Sequence, residues 1–234
     1  MDLDIDALLE SETVYHREDE GGKDVSELMQ RWISERTAPE LLPFETALLE
    51  RIIERIRQQI SFFFRRKRTR IVEMEIGKDI KTNFRMILIQ MEIERIKYMI
   101  RSYLQTRIYK LDKYALYILQ KPESLACLSS LEKEYLEKHQ KILMDYYTST
   151  ILNHLPEKLR RLDDTQGGVS MSKLISIVEK PDMDAAVFCR VVNTIEHDIP
   201  INKNESITLD KGNIYLLKYK LIRSFLFSGD IELI

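Results

Sequence analysis

The segment from residue 84 to residue 120 constrains the fold most, because its apolar side chains fall on two opposite sides of one predicted helix. A helix turns by about 100° per residue, and on that spacing one side collects Phe84, Ile87, Leu88, Met91, Tyr98 and Met99. The other side collects Ile89, Ile93, Ile96, Ile100, Tyr103, Leu104, Leu111, Tyr114 and Ile118. Such a helix either lies at the centre of a bundle formed by its own chain or is covered on one side by another polypeptide. The pattern alone leaves both alternatives open.

Further helices are predicted on both sides of this segment. Apolar residues between Val25 and Ile33 share one helical face, and those between Leu48 and Phe64 form a broader stripe. A bend with prolines at both ends, residues 39–43, separates the two helices because proline lacks an amide donor. A last helix is predicted over about 124–153. Only 7 of the 234 residues are glycine, so few tight turns can be built and long helices are favoured.

The sequence changes character after residue 160. Two of the glycines, Gly167 and Gly168, follow a polar stretch that is typical of a linker. Short β-branched runs at 174–178, 186–192 and 206–209 then predict strands, and residues 210–213 offer the turn of a hairpin to 214–217. A short helix over 219–227 and a strand over 231–234 complete the pattern. We predict a mainly α protein with a flexible acidic tail at 1–23, a helical domain at 24–160, a linker at 161–173 and a small β-rich domain at 174–234.

No motif in the sequence predicts catalysis. Glycine-rich phosphate loops and the nucleophile elbow G-x-S-x-G are absent, and the 4 histidines have no spacing that would place two on one metal. The two cysteines, Cys127 and Cys189, form neither a C-x-x-C pair nor a disulfide framework. We therefore predict no enzyme activity, no cofactor and no metal. No apolar run is long enough to span a membrane, the N-terminus lacks a secretory signal, and the formal net charge of -2 favours protein partners.

A basic run follows the second predicted helix and is the best candidate for a nucleic-acid contact. It consists of Arg65, Arg66, Lys67, Arg68 and Arg70, preceded by three phenylalanines. Clustered cations neutralise phosphates, and aromatic rings can stack on bases. A localisation signal is another interpretation of the run. The structural alternative is a solvated helix end, where cations suit the helix dipole.

The first ten residues have the pattern of a short binding motif. Ile5, Leu8 and Leu9 are spaced to share one helical face, and Asp4 and Asp6 lie among them. An acidic segment of this kind can fold as a helix in the groove of a partner. A charged tail without a partner is the alternative.

The ordered set of segments resembles the Sld-five family, a subunit of the eukaryotic GINS DNA replication complex. The resemblance is carried by the run from Met91 to Leu104 with the following Arg107 and Lys110 to Lys113. Trp32, the bend at 35–42, the corner at 155–159, the stretch 180–184 and the closing residues 232–234 resemble the family in the same order. The 62–83 region, which includes the basic run, matches no feature of the family.

This resemblance implies a non-catalytic nuclear protein with an N-terminal helical bundle and a small β-rich C-terminal domain. It implies a heterotetramer with three related GINS subunits, in which Ile89, Ile93, Ile96, Ile100, Tyr103, Leu104 and Leu111 are expected at the subunit interface. The assembly would join the MCM helicase ring and Cdc-forty-five as a scaffold of the replicative helicase. The N-terminal motif Asp4, Ile5, Asp6, Leu8 and Leu9 is similar to a fungal peptide that docks on the replisome hub Ctf-four.

Overall fold

A computed structural model describes residues 12–72, 80–156, 160, 178–193, 195–202 and 205–234. Long helices dominate the part before residue 156, and small antiparallel sheets with a helix follow in the described residues of the C-terminal part. The fold class predicted from the sequence is therefore confirmed. The predicted linker at 161–173 lies outside the described residues, as do residues 174–177 of the predicted strand at 174–178 and residues 1–11 with the predicted binding motif.

Helix α1 spans Glu12–Thr37 and begins earlier than the sequence predicts. Residues 12–23, expected to belong to a flexible tail, continue the helix through two glycines, each of which costs about 1 kcal/mol relative to alanine. The helix is held there by ion pairs to Asp24 from Arg51 at 3.3 Å and Arg55 at 3.0 Å. A Cβ atom on Gly21 would lie 3.2 Å from Arg55 Nη1, so the glycine leaves room for that arginine.

Helix α2 is also longer than predicted, whereas α3 begins and ends earlier than predicted. Helix α2 spans Thr46–Val72, so the backbone of the basic run belongs to this helix, whereas the sequence analysis placed the run after it. Arginine and lysine are good helix formers, which explains why the helix passes through a run of like charges. Helix α3 spans Ile80–Lys113 and contains most of the two-sided segment.

Two short helices and one long helix follow α3. A turn at Tyr114 separates α3 from α4, Ala115–Gln120, and Pro122 begins α5, Pro122–Ala126. Helix α6, Ser130–Thr150, begins with a capping box in which Ser129 Oγ accepts from the Glu132 amide and Glu132 accepts from the Ser129 amide. A 3-10 turn, Leu152–His154, follows α6 and ends before Pro156.

The C-terminal part contains two small antiparallel sheets. The first has strand order β4-β1-β5, with β1 Ala186–Val191, β4 Ile214–Lys218 and β5 Ile231–Leu233. The second pairs β2, Ile195–Asn202, with β3, Glu205–Leu209. Helix α7, Tyr219–Ser228, lies between β4 and β5 in sequence and ends at Gly229, whose φ of 84° suits glycine.

The predicted hairpin between β3 and β4 is wrong. Residues 210–213 do form a turn, but β3 pairs with β2, and β4 pairs with β1. The partner strand β2 was not predicted, because Pro200 and three charged or imidazole side chains interrupt its apolar pattern. The strands at 186–191 and 231–233 and the helix at 219–228 agree with the prediction.

The chain divides into two compact units, and each has its own packing. One comprises residues up to Trp32 and from Glu45 to Tyr103, and the other comprises Ile33–Phe44 and Leu104–Ile234. In the second unit, one apolar core lies between the sheet and α7, and another lies among α3, α4 and α6. Within the described ranges, no helix combines the length and the apolar character needed to cross a membrane.

Candidate subunit interface

One side of α3 exposes a row of large apolar side chains. Met91 is 64% exposed and Tyr98 is 62% exposed, and three others in the same direction are about half exposed or more: Phe84, Ile87 and Leu88. Trp32 of α1 supports Tyr98 by an edge-to-face ring contact at 6.2 Å, and its Nε1 donates to Ser102 Oγ at 3.0 Å. We call Phe84, Ile87, Leu88, Met91 and Tyr98 the α3 apolar face. A row of this kind on a charged helix is typical of a protein interface.

The opposite side of α3, which the sequence analysis assigned to the subunit interface, is largely buried within the chain. Ile93, Ile96, Tyr103 and Leu111 are each at most 7% exposed. Ile100 and Leu104 are partly buried, and only Ile89 is exposed. The chain itself therefore covers these four residues, and their contact with a sister subunit remains a prediction. The two-sided pattern was real, but the chain covers the side that was assigned to a sister subunit.

A buried ionic cluster anchors the second half of α3. Arg107 is fully buried, and its guanidinium donates to Glu35 Oε2 at 2.9 Å and to Glu132 at 2.7 and 3.1 Å. It also donates to the carbonyl oxygens of Leu42 at 2.6 Å and Cys127 at 3.3 Å. These bonds connect α3 with the end of α1, the bend and the start of α6. Buried charges are tolerated where they are paired and hydrogen-bonded in this way.

Lys110 completes this cluster. Its Nζ lies 2.8 Å from Glu35 Oε1 and 2.7 Å from the carbonyl oxygen of Glu40. Burial lowers the pKa of Lys110 below its ordinary value, while the attraction of Glu35 opposes this shift. Two cations and two carboxylates, Arg107, Lys110, Glu35 and Glu132, therefore balance one another, and we call them the buried ionic cluster.

This cluster was not predicted from the sequence, although a signal was present. Tyr103, Arg107 and Leu111 are spaced four residues apart, so the arginine lies in the middle of the apolar side of α3. An unpaired arginine is not expected at such a position. The sequence could thus have indicated a buried cation, but it could not have identified its partners at 35 and 132.

Two further apolar surfaces are exposed in the second unit. Along α6, exposed side chains at helical spacing form a stripe that consists of Leu131, Tyr135, Ile142 and Tyr146. On the outer face of the three-stranded sheet, the exposed side chains of Phe188 and Leu216 lie opposite each other, and those of Ile214 and Ile234 are also exposed. These apolar side chains share the face with Arg190, Lys218 and Glu232. The outer face of an antiparallel sheet is commonly polar. Both surfaces are therefore candidates for partner contacts.

The remaining predicted sites cannot be located in the same way. The backbone of Arg65, Arg66, Lys67, Arg68 and Arg70 is helical, but their side chains are outside the description. The motif Asp4, Ile5, Asp6, Leu8 and Leu9 lies outside the described residues altogether. Among the described residues, no three His, Cys, Asp or Glu side chains are placed to hold a metal ion.

Family models match two parts of the chain. The model described as "GINS complex protein helical bundle domain" matches residues 62–151, which contain the end of α2, all of α3 and α6, and the α3 apolar face. This match includes the 62–83 region, so the expectation that this region has no counterpart in the family is wrong. The model described as "DNA replication complex GINS protein SLD5 C-terminus" matches residues 181–234, which contain both sheets and α7.

Curated fungal proteins are similar to the chain over its length. "DNA replication complex GINS protein sld5" of Schizosaccharomyces pombe is 39% identical over 234 residues, with all of both chains covered. The SLD5 protein of Chaetomium globosum is 35% identical over 240 residues, again with all of both chains covered. The SLD5 protein of Saccharomyces cerevisiae is 29% identical over 244 residues, covering 91% of this chain and 81% of the relative.

Proposed function

Because the chain belongs to the Sld-five family of GINS proteins, we propose that it is a non-catalytic subunit of a GINS heterotetramer that acts in DNA replication. In this proposal the tetramer is a nuclear scaffold of the replicative helicase. It joins the MCM ring and Cdc-forty-five and is needed for initiation and elongation. The N-terminal motif contacts the hub Ctf-four. The matched family and the names of the fungal relatives support the proposal.

The α3 apolar face is the observation that carries this function. A single chain gains nothing from exposing Met91 and Tyr98 on a long, otherwise charged helix. Burying an exposed large apolar side chain contributes about 1.5–3 kcal/mol. Covering the α3 apolar face with a sister subunit would therefore stabilise the complex. The chain alone would remain prone to self-association through this face. We assign the interface to this side of α3 in place of the side chosen from the sequence.

Co-expression with the three sister subunits tests the proposal. We expect the purified complex to have the mass of one copy of each subunit. Met91→Asp should abolish incorporation, because a carboxylate would be buried in the interface without a partner. Gln90→Asp is the matched control: it adds the same charge to the neighbouring exposed position, away from the α3 apolar face, and should leave assembly intact.

The possible results separate the function from the choice of surface. A chain that never enters a complex with the sister subunits would contradict the proposed function. A Met91→Asp chain that assembles as well as the Gln90→Asp chain would contradict the assignment of the α3 apolar face. In that case the α6 stripe and the outer sheet face would be the next surfaces to test.

A further inference from the structure

The bend between α1 and α2, residues 38–42, is fixed to α3 through its backbone. Lys110 Nζ donates to the carbonyl oxygen of Glu40 at 2.7 Å, and Arg107 donates to that of Leu42 at 2.6 Å. Both cations are buried, and all of these residues belong to the same compact unit. Since charge-assisted hydrogen bonds are stronger than neutral ones, the bend has little freedom to move relative to this part of α3.

The other side of the same bend contacts the C-terminal sheet and α7. Ala38 is 3% exposed and belongs to the core that also contains Val187, Tyr219 and Leu233, and Leu42 packs against that core. Glu40 Oε1 accepts hydrogen bonds from Tyr219 Oη at 2.8 Å and from Arg223 Nε at 2.6 Å. The N-terminal bend thus contributes both an apolar contact and a carboxylate to the C-terminal part.

Glu40 has a distinct role in this contact. Its side chain is only 15% exposed, while that of Arg223 is 46% exposed. The carboxylate is therefore held against α7, and burial together with Glu40 raises the pKa of Tyr219 above its ordinary value. Removing the carboxylate would leave the buried Tyr219 hydroxyl without this acceptor and Arg223 without this ion pair.

We propose that residues 38–42 form a docking seat that holds the C-terminal sheet and α7 in one fixed orientation, with Glu40 as the positioning residue. Domains joined by a linker move relative to each other unless a sufficiently apolar interface fixes them. The seat supplies such an interface through Ala38 and Leu42. The outer sheet face with Phe188 is then presented in a constant direction relative to the helices of the same unit. This inference does not depend on the proposed function.

Distance measurements between two spin labels test the seat. We would attach the labels at Glu137→Cys on α6 and Lys211→Cys in the turn before β4, both exposed positions of the same unit. Cys127→Ser removes the more accessible native thiol, and Cys189 is buried. The full chain is measured in the form in which it purifies, alone or with its sister subunits. A failure to assemble is then recorded separately from a failure of the seat.

We expect a single narrow distance distribution for the otherwise native chain and a clearly broader one after Glu40→Ala. Asp184→Ala is the control, because it removes the carboxylate of the Lys218 ion pair within the C-terminal part and leaves the bend unchanged. A broad distribution for the native chain would overturn the docking seat. A Glu40→Ala distribution as narrow as that of the control would overturn the role of Glu40.

A second variant keeps the test decisive if Glu40→Ala does not give folded protein. Arg223→Met removes one of the two donors to Glu40 from a largely exposed position and should fold. We expect it to broaden the distribution by less than the loss of the carboxylate would. An Arg223→Met chain with an unchanged distance distribution would count against a role of the Glu40–Arg223 ion pair in fixing the orientation of α7.

Discussion

Replacement of Arg107 with methionine is the sharpest test of how α3 is held in place. Methionine keeps a comparable length and apolar stem but removes the charge and every hydrogen-bond donor. Glu132 would lose its two bonds to the guanidinium, and the carbonyl oxygens of Leu42 and Cys127 would each lose one. Glu35 would keep Lys110 as its remaining cation.

The size of the effect follows from these contacts. A net hydrogen bond to a charged group contributes about 1.5–3 kcal/mol, but the bonds of Arg107 share one residue and do not add fully. Breaking a buried ion pair by removing one partner typically costs about 3–5 kcal/mol, and we expect Arg107→Met to lower the free energy of unfolding by this amount. A typical domain has only about 5–15 kcal/mol of stability, so the variant should unfold at a much lower denaturant concentration.

Urea unfolding followed by circular dichroism measures this difference, with Arg95→Met as the matched control. Arg95 lies on the same helix and pairs with Glu92, but both side chains are half exposed, so its loss should change stability by less than about 1 kcal/mol. Adding Glu132→Gln to Arg107→Met should restore part of the lost free energy of unfolding, because burying a neutral amide costs less free energy than burying an unpaired carboxylate. An Arg107→Met chain as stable as the Arg95→Met chain would refute the reasoning.

Three further predictions concern other parts of the chain. Because the pKa of the Tyr219 hydroxyl is raised in the folded chain, the unfolded chain loses the hydroxyl proton at a lower pH, and the free energy of unfolding should fall as the pH rises above about 10. Urea unfolding at alkaline pH should show a smaller fall for Tyr219→Phe. An equal fall for both chains would contradict the burial of the hydroxyl. If the basic run contacts DNA, replacing Arg65 to Arg70 with serine should weaken binding and flatten its dependence on salt, whereas unchanged titrations would exclude this contact. Combined Ile5→Ala and Leu8→Ala should abolish pull-down by the hub Ctf-four while the tetramer still forms, and retained pull-down would argue against the motif.

The helices and strands were more predictable from the sequence than the strand pairing and the contacts between elements. Helical periodicity identified α3, and β-branched runs identified β1, β3 and β4. The pairing of β1 with β4 and β5 was not accessible, because the local turn at 210–213 favours a hairpin and only distant contacts exclude it. The start of α1 was missed for a similar reason: Gly21 weakens a helix locally, and only the contact with Arg55 explains its place there.

The candidate interface shows the same limit. The two sides of α3 are nearly equal in apolar character, so the sequence could indicate that both would be covered but not which one the chain covers itself. The structure shows the result in Ile93, Ile96 and Tyr103, which are buried on the side that the chain covers. The burial of Arg107 was not predicted either, since a charged side chain is normally expected on a solvated face. Its burial requires carboxylates that lie 72 and 25 residues away.

The position of Glu35 also limits how this protein can be shortened for expression. The helical family model begins at residue 62, and a fragment cut at 62–151 would seem a natural choice. Such a fragment would retain Arg107, Lys110 and Glu132 but lose Glu35, and so would enclose two cations with one carboxylate. It would also lose the carbonyl oxygens of the bend that accept from both cations. A stable fragment of the helical part therefore has to begin upstream of Glu35, although α1 lies outside both matched ranges.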